Sequence, residues 1–174
     1  MSILYNQHEM SILKYGALVL RTRTKPVTSF DSELAGIIER MKVTLAEATG
    51  VGLAATQVGL DIALFLAKLG DKLYVFANPV IIPLSKKTYK DEEGCLSVPG
   101  VWVEVERYEH IRLQAQDQKG KEVFYELEGY PARIVQHEVD HLNGVLIVDR
   151  ISPRQRREIA PMLEEIEHST NNGG

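Results

Sequence analysis

The spacing of apolar positions divides the chain into a few helices and one long run of strands. Leu34, Ile37, Ile38, Met41 and Leu45 recur at intervals of three and four, which makes one apolar stripe and predicts a helix. Asp31 or Ser32 is placed to cap its start, and Gly50 lies just past it, where a left-handed helix end would suit it. Ahead of this helix, residues 1–30 read as an extended arm with short strands. After it, residues 50–59 (Gly-Val-Gly-Leu-Ala-Ala-Thr-Gln-Val-Gly) are too small and glycine-rich for a good helix or strand and read as a tightly packed loop. From 62 to 128 the period shortens to two. Residues 62–67 and 73–77 are compact apolar runs, Asn78-Pro79 marks a turn, and residues 101–106 and 111–115 alternate as half-buried antiparallel strands do. Residues 117–121, with Gly120, read as a hairpin turn into a strand over 123–128.

A second helix is predicted from Pro131, a favoured first helical position, through Ile134, Val135 and His137 to about Leu142, where Asn143-Gly144 stops it. Ser152-Pro153 opens a last helix with Ile159, Met162, Leu163 and Ile166 as its apolar face. Residues 169–174 are polar and read as a frayed tail. The expected fold class is α+β. A single domain, residues 1–174, packs mostly antiparallel strands around the helix carrying His137, with one helix in the N-terminal half and one at the C-terminus.

Composition narrows the function classes. With 174 residues, 44% hydrophobic and 25% charged, the chain can bury the core of one globular domain. A net charge of −4 argues against DNA or RNA as the main partner. No apolar run is long enough to predict a membrane span, and Asn6, Gln7, His8 and Glu9 interrupt any secretory signal core. The one cysteine, Cys95, excludes an intrachain disulfide and every zinc site that needs two thiolates. Together these features point to a cytoplasmic protein.

Against that background, residues 137–141 (His-Glu-Val-Asp-His) form an H-E-x-x-H motif on a predicted helix. Residues four apart share a helix face, so His137 and His141 can reach one metal ion, with Glu138 beside them as general base. A third ligand is needed. His8, His110 and His168 lie in peripheral segments, and Cys95 is the better candidate, since a metal binds a thiolate and lowers its pKa. Two imidazoles and one thiolate leave a fourth position for water, which is the pattern of a catalytic site. The small residues of 50–57 let backbone approach a ligand closely, and Gln57 offers an amide donor. Two other readings stay open on the residues alone. One is a peptidase that takes its third ligand downstream, from Glu158, Glu164 or Glu165. The other is a binding module with a structural metal or none.

Residues 50–57 (Gly-Val-Gly-Leu-Ala-Ala-Thr-Gln), 93–97 (Glu-Gly-Cys-Leu-Ser) and 136–141 (Gln-His-Glu-Val-Asp-His) resemble, in order and spacing, the three signature motifs of the peptide deformylase family. The similarity runs from about Ile12 to Ile151. It implies a hydrolase that removes the formyl group from the N-terminal formylmethionine of nascent polypeptides. It implies Cys95, His137 and His141 as metal ligands, with Fe(II) as the native ion and Zn(II), Ni(II) or Co(II) as substitutes. Glu138 matches the family's catalytic glutamate, and Gln57 and the Leu96 N–H match its oxyanion donors. Backbone around Gly50, Val51, Gly52 and Gly94 would hold the peptide, and Ile134 would line the methionine pocket. Many bacterial members carry a basic residue where this chain has Trp102. Trp102 reads as a strand residue with one face buried, and Arg133 as a solvated helix charge. The alternative is that both change the preference for residues after the methionine. Arg154, Arg156 and Arg157 read as a solvated face of the last helix, with a weaker alternative of contact to ribosomal RNA.

Overall fold

In the computed structural model, which describes residues 10–173, the apolar runs and the alternating runs take different places in two antiparallel sheets. Among the described residues three helices, α1 (Ser32–Glu47), α2 (Tyr130–Leu142) and α3 (Pro153–Asn172), pack against seven strands. The strands are β1 (Gly52–Ala54), β2 (Leu64–Leu69), β3 (Lys72–Pro83), β4 (Thr88–Cys95), β5 (Val98–Tyr108), β6 (His110–Gln116) and β7 (Glu122–Glu128). Five of them form a sheet in the order β1-β2-β3-β6-β7, and β4 pairs with β5 as a separate hairpin. All strand pairs are antiparallel.

β2 explains why its run is apolar on both faces. Leu64 and Leu66 meet Leu34, Ile38, Met41 and Leu45 of α1. Phe65 and Ala67 point the other way and join Ile134, Val135 and Leu142 of α2. A sheet covered on both sides needs no alternation of polarity. β5 has one covered face and does alternate: Val101, Val103 and Val105 are buried against Ile147, Ile159 and Leu163. α2 is therefore held between the large sheet and the β4–β5 hairpin, and that placement sets the candidate site.

The structure corrects several local expectations. Residues 10–30 hold a one-turn 3₁₀ helix (Leu18–Arg21) and no strand, only an isolated bridge from Lys25 to Ile62. The expected loop over 50–59 contains β1 and a 3₁₀ turn (Ala55–Val58), because small side chains let it pair tightly with β2. Asp31 Oδ1 caps α1 by accepting from the Leu34 N–H at 3.0 Å. The helix ends at Ala48 in an extended conformation, so Gly50 is no left-handed cap. Its need for glycine is space: a Cβ there would lie 2.8 Å from Leu96 Cδ1. Asn78-Pro79 is a bulge inside β3 rather than a turn, with the register shifting between Ala77 and Val80. Asn78 adopts φ 51° and is held by both backbone groups of Val27 and by Gln116. β4 carries no apolar alternation over its middle, because Lys90, Asp91 and Glu92 face solvent. α3 continues through the expected frayed tail to Asn172, where Thr170 Oγ1 donates to Tyr15 O and to Ile166 O, both at 3.0 Å. Met162 lies off its buried face, 42% exposed. Among the described residues, no helix is long and apolar enough to cross a membrane.

Gly144, just past α2, has φ 73°, and a Cβ there would sit 2.6 Å from the Arg21 carbonyl oxygen. Both the left-handed backbone and the backbone contact oppose a side chain. Gly144→Ala is therefore expected to cost about 2–3 kcal/mol of stability, read from urea unfolding. An unchanged midpoint would show that the 21–24 segment yields easily.

Candidate metal centre

α2 begins at Gly129 with φ 65° and Pro131 in its first turn, and its pitch places His137 and His141 on one side. Their Nε2 atoms are 3.3 Å apart. Cys95 ends β4 where the β4–β5 register shifts, which turns its side chain toward α2. Its Sγ lies 3.4 Å from His141 Nε2. The three ligand atoms fall within 4.8 Å of one another, an arrangement that could hold one metal ion.

The surroundings suit a cation. Glu93, 6% exposed, accepts from His137 Nδ1 at 3.0 Å. That bond assigns a proton to Nδ1 and turns the Nε2 lone pair toward Cys95 and His141. Burial opposes the Glu93 charge, but hydrogen bonds from Arg107 and His137 outweigh it and hold the carboxyl well below the usual carboxylate range. Burial also opposes a Cys95 thiolate, yet the His141 and His137 rings hold its pKa well below the ordinary thiol value. The result is a thiolate and two imidazole nitrogens facing one another. They favour a proton on His137, and a divalent ion would compete for the same lone pairs.

Glu138 is buried at 3% exposure, and its Oε2 has no hydrogen-bond partner among the described residues. Burial raises its pKa, with His137 and His141 pulling the other way. The carboxylate packs on Gly52 so closely that a Cβ at that position would overlap it. Glu138, His137 and Ile134 form the floor of a cleft of about 470 Å³. Residues 50–52 line one wall and residues 94–96 the other. Gln57 sits at the inner end. Its Oε1 accepts from the Ala54 N–H at 2.9 Å, and its Nε2 donates to Ser97 Oγ at 3.1 Å and faces Cys95 Sγ at 3.8 Å. Leu96 joins this wall, and its carbonyl accepts from Lys14 Nζ at 3.0 Å.

All eleven residues singled out from the sequence thus gather around one place, with His141 just beneath the cleft floor. The downstream carboxylates do not join them. Glu158 pairs with Arg154 on the exposed side of α3, and Glu164 and Glu165 face solvent. His110 pairs with Glu126, and His8 lies outside the described residues. Trp102 is not half-buried: it is 68% exposed at the cleft rim and lies over Gly94. Arg133 is no solvated charge. It is 2% exposed, with Nη1 donating to Glu93 Oε1 and Val105 O and Nη2 to Tyr89 O, each at 2.8 Å. Arg156 is likewise engaged, with Val148 O and Tyr15 Oη. The roles of Glu93, Arg107 and Arg133 were missed. Arg107 did carry a signal, because it falls on the buried phase of β5, two residues past Val105.

An HExxH helix, a buried glutamate in its middle and a thiolate from a neighbouring strand define a chain of the metallohydrolase class. A family model for polypeptide deformylase matches residues 9–157. The chain is 48% identical over 155 residues to the peptide deformylase of Thermotoga neapolitana, covering 89% of this chain and 94% of that one. The crystal structure of peptide deformylase from Thermotoga maritima superposes with a TM-score of 0.81 at 49% identity, over 84% of this chain and 99% of that one. An Arabidopsis thaliana peptide deformylase solved with an inhibitor superposes at 0.87 with 35% identity, over 95% of each chain. This chain belongs to the polypeptide deformylase family. It is a metal-dependent enzyme that removes the formyl group from the N-terminal methionine of newly made polypeptides.

Proposed function

We propose that Cys95, His137 and His141 hold one divalent ion, Fe(II) in the native state, and that Glu138, Gln57 and Leu96 carry out the deformylation around it. The observation behind this reading is the convergence of one Sγ and two Nε2 atoms beside Glu138, whose Oε2 has no hydrogen-bond partner among the described residues, on a cleft floor. Zn(II), Ni(II) or Co(II) fit the same donors, since N and S ligands accept any of them. An ion held there supplies an activated water and polarises the formyl oxygen.

The chain's own residues supply the rest. Glu138 takes a proton from the water that attacks the formyl carbon and delivers it to the departing amine nitrogen as the C–N bond breaks. Formate and a free N-terminus result. The Gln57 amide and the Leu96 N–H stabilise the oxyanion of the tetrahedral species. Backbone at Gly50, Val51, Gly52 and Gly94 aligns the substrate as an extended strand between the two walls, and Ile134 lines the pocket for the methionine side chain. The whole chain acts as one catalytic domain in the cytoplasm, with nascent formylated peptides as its partners and neither DNA nor membrane required. Arg154 and Arg157 are exposed on α3 and offer a transient contact to ribosomal RNA. Charge reversal there is expected to reduce co-sedimentation with ribosomes, and unchanged binding would remove that contact.

The central test is formate release from formyl-Met-Ala-Ser by anaerobically prepared, Fe(II)-loaded protein. Absence of formate would overturn the assignment. Gln57→Leu tests the oxyanion role. It is expected to lower kcat about 10²–10³-fold with little change in KM, the effect of losing one such donor. A KM rise with constant kcat would place Gln57 in ground-state binding instead.

A further inference from the structure

Behind α2, away from the cleft, the ion pairs continue past Glu93 to the protein surface. Arg107 spans two carboxylates. Its Nε and Nη2 donate to Glu93 Oε1 and Oε2 at 2.9 Å each, and its Nη1 donates to Asp140 Oδ2 at 2.5 Å. Asp140, in turn, is gripped by Arg150, whose Nε donates to Oδ2 at 3.0 Å and Nη2 to Oδ1 at 2.7 Å. Arg107 and Asp140 are 4% and 8% exposed. The Arg150 side chain is 47% exposed and, with Asp140 and Arg107, lines a second cavity of about 370 Å³. Charges therefore alternate from Arg150 at the surface through Asp140, Arg107 and Glu93 to the Nδ1–H of His137.

We propose that Asp140 and Arg150 are positioning residues for the metal site, acting through Arg107 and Glu93 on the direction of His137 Nε2. The inference rests on the reading of Cys95, His137 and His141 as ligands. The terminal torsion of an aspartate or glutamate is broad and is not fixed by one hydrogen bond. A planar guanidinium that bonds both carboxylate oxygens does fix it. Two such contacts occur in series here. Arg150 locks the Asp140 carboxylate, Asp140 sets the plane of Arg107, and Arg107 locks the Glu93 carboxylate that holds the His137 ring. Arg150 is the outermost link: changing it removes the partner of Asp140 Oδ1 but leaves the Arg107 bonds to Asp140 Oδ2 and to Glu93 in place.

Co(II) is the probe, since its d–d bands report ligand geometry and a thiolate-to-Co(II) band reports Cys95. Arg150→Met is expected to weaken Co(II) binding about tenfold against a competing chelator, the lower end of the range for an outer partner of a ligating histidine. Its d–d bands should shift. Arg150→Lys keeps the charge but not the planar two-point contact, and it should resemble Arg150→Met. Arg112→Met, which removes an equal charge from the exposed face of β6, should match the unaltered protein in both readouts. Unaltered affinity and bands in Arg150→Met would overturn the proposal, as would full recovery by Arg150→Lys. Cys95→Ala separately tests the ligand reading: persistence of the thiolate band in that variant would sink the ligand assignment, whatever Arg150 does.

Discussion

Glu138→Gln is expected to bind its metal ion and unfold as the unaltered protein does, yet to lose about 10⁴-fold in kcat, the upper range for a general acid–base group. The amide has the shape of the carboxylate but cannot accept the water proton. Packing against residue 52 holds the side chain in place. Glu138 Oε2 has no partner among the described residues, and the carboxylate's near neighbour is the backbone of Gly52. A buried carboxyl without hydrogen bonds contributes little to stability and is costly to ionise. Burial holds its pKa above the ordinary value, against the pull of His137 and His141. A raised pKa suits a carboxyl that must both take and return a proton. The measurement pairs formate release with metal content on the same preparation. Retained turnover with full metal occupancy would move the base elsewhere. Loss of metal would mean that Glu138 helps to hold the ion.

The candidate ligand cluster is legible in the sequence for a physical reason. A helix repeats every 3.6 residues, so His137 and His141 meet wherever the helix lies, and only Cys95 remained as a soft third donor. The alternation in β5 and β6 and the stripe on α1 were legible for the same kind of reason, because one covered face imposes one period. What stayed hidden depends on partners distant along the chain. β4 exposes Lys90, Asp91 and Glu92, and its pairing comes from β5 rather than from its own pattern. The bulge at Asn78 is made by Val27 and Gln116, which lie 51 and 38 residues away. Arg133 looked like a surface charge because Glu93, 40 residues earlier, carries no local mark of being buried. A charged residue on the inner phase of a strand is the one local clue to such a network, and Arg107 supplies it.

Glu93→Gln should be the most destabilising single substitution in the buried ion-pair network. The carboxylate accepts from Arg107 at 2.9 Å through each oxygen, from Arg133 at 2.8 Å and from His137 at 3.0 Å. An amide of the same shape has one acceptor oxygen and turns its NH₂ toward groups that are themselves donors. Arg107 and Arg133 are then left buried with Asp140 as the remaining carboxylate, and breaking a buried pair in this way costs about 3–5 kcal/mol. Urea unfolding of the metal-free proteins reads that loss directly. Metal affinity should fall as well, about 10–100-fold, because the His137 ring loses the acceptor that orients it. The pH dependence gives a further check with a definite sign. Burial alone would raise the Glu93 pKa, but the Arg107 and His137 hydrogen bonds leave it well below the ordinary range in the folded state. Its contribution is therefore complete above the unfolded-state value, about pH 4.3, and is lost as pH falls toward the folded-state value. The stability gap between the two proteins should stay constant from neutral pH to about pH 5 and narrow in stronger acid. A gap that closed near neutral pH would mean that Glu93 is protonated in the folded protein and does not anchor the two arginines as an anion.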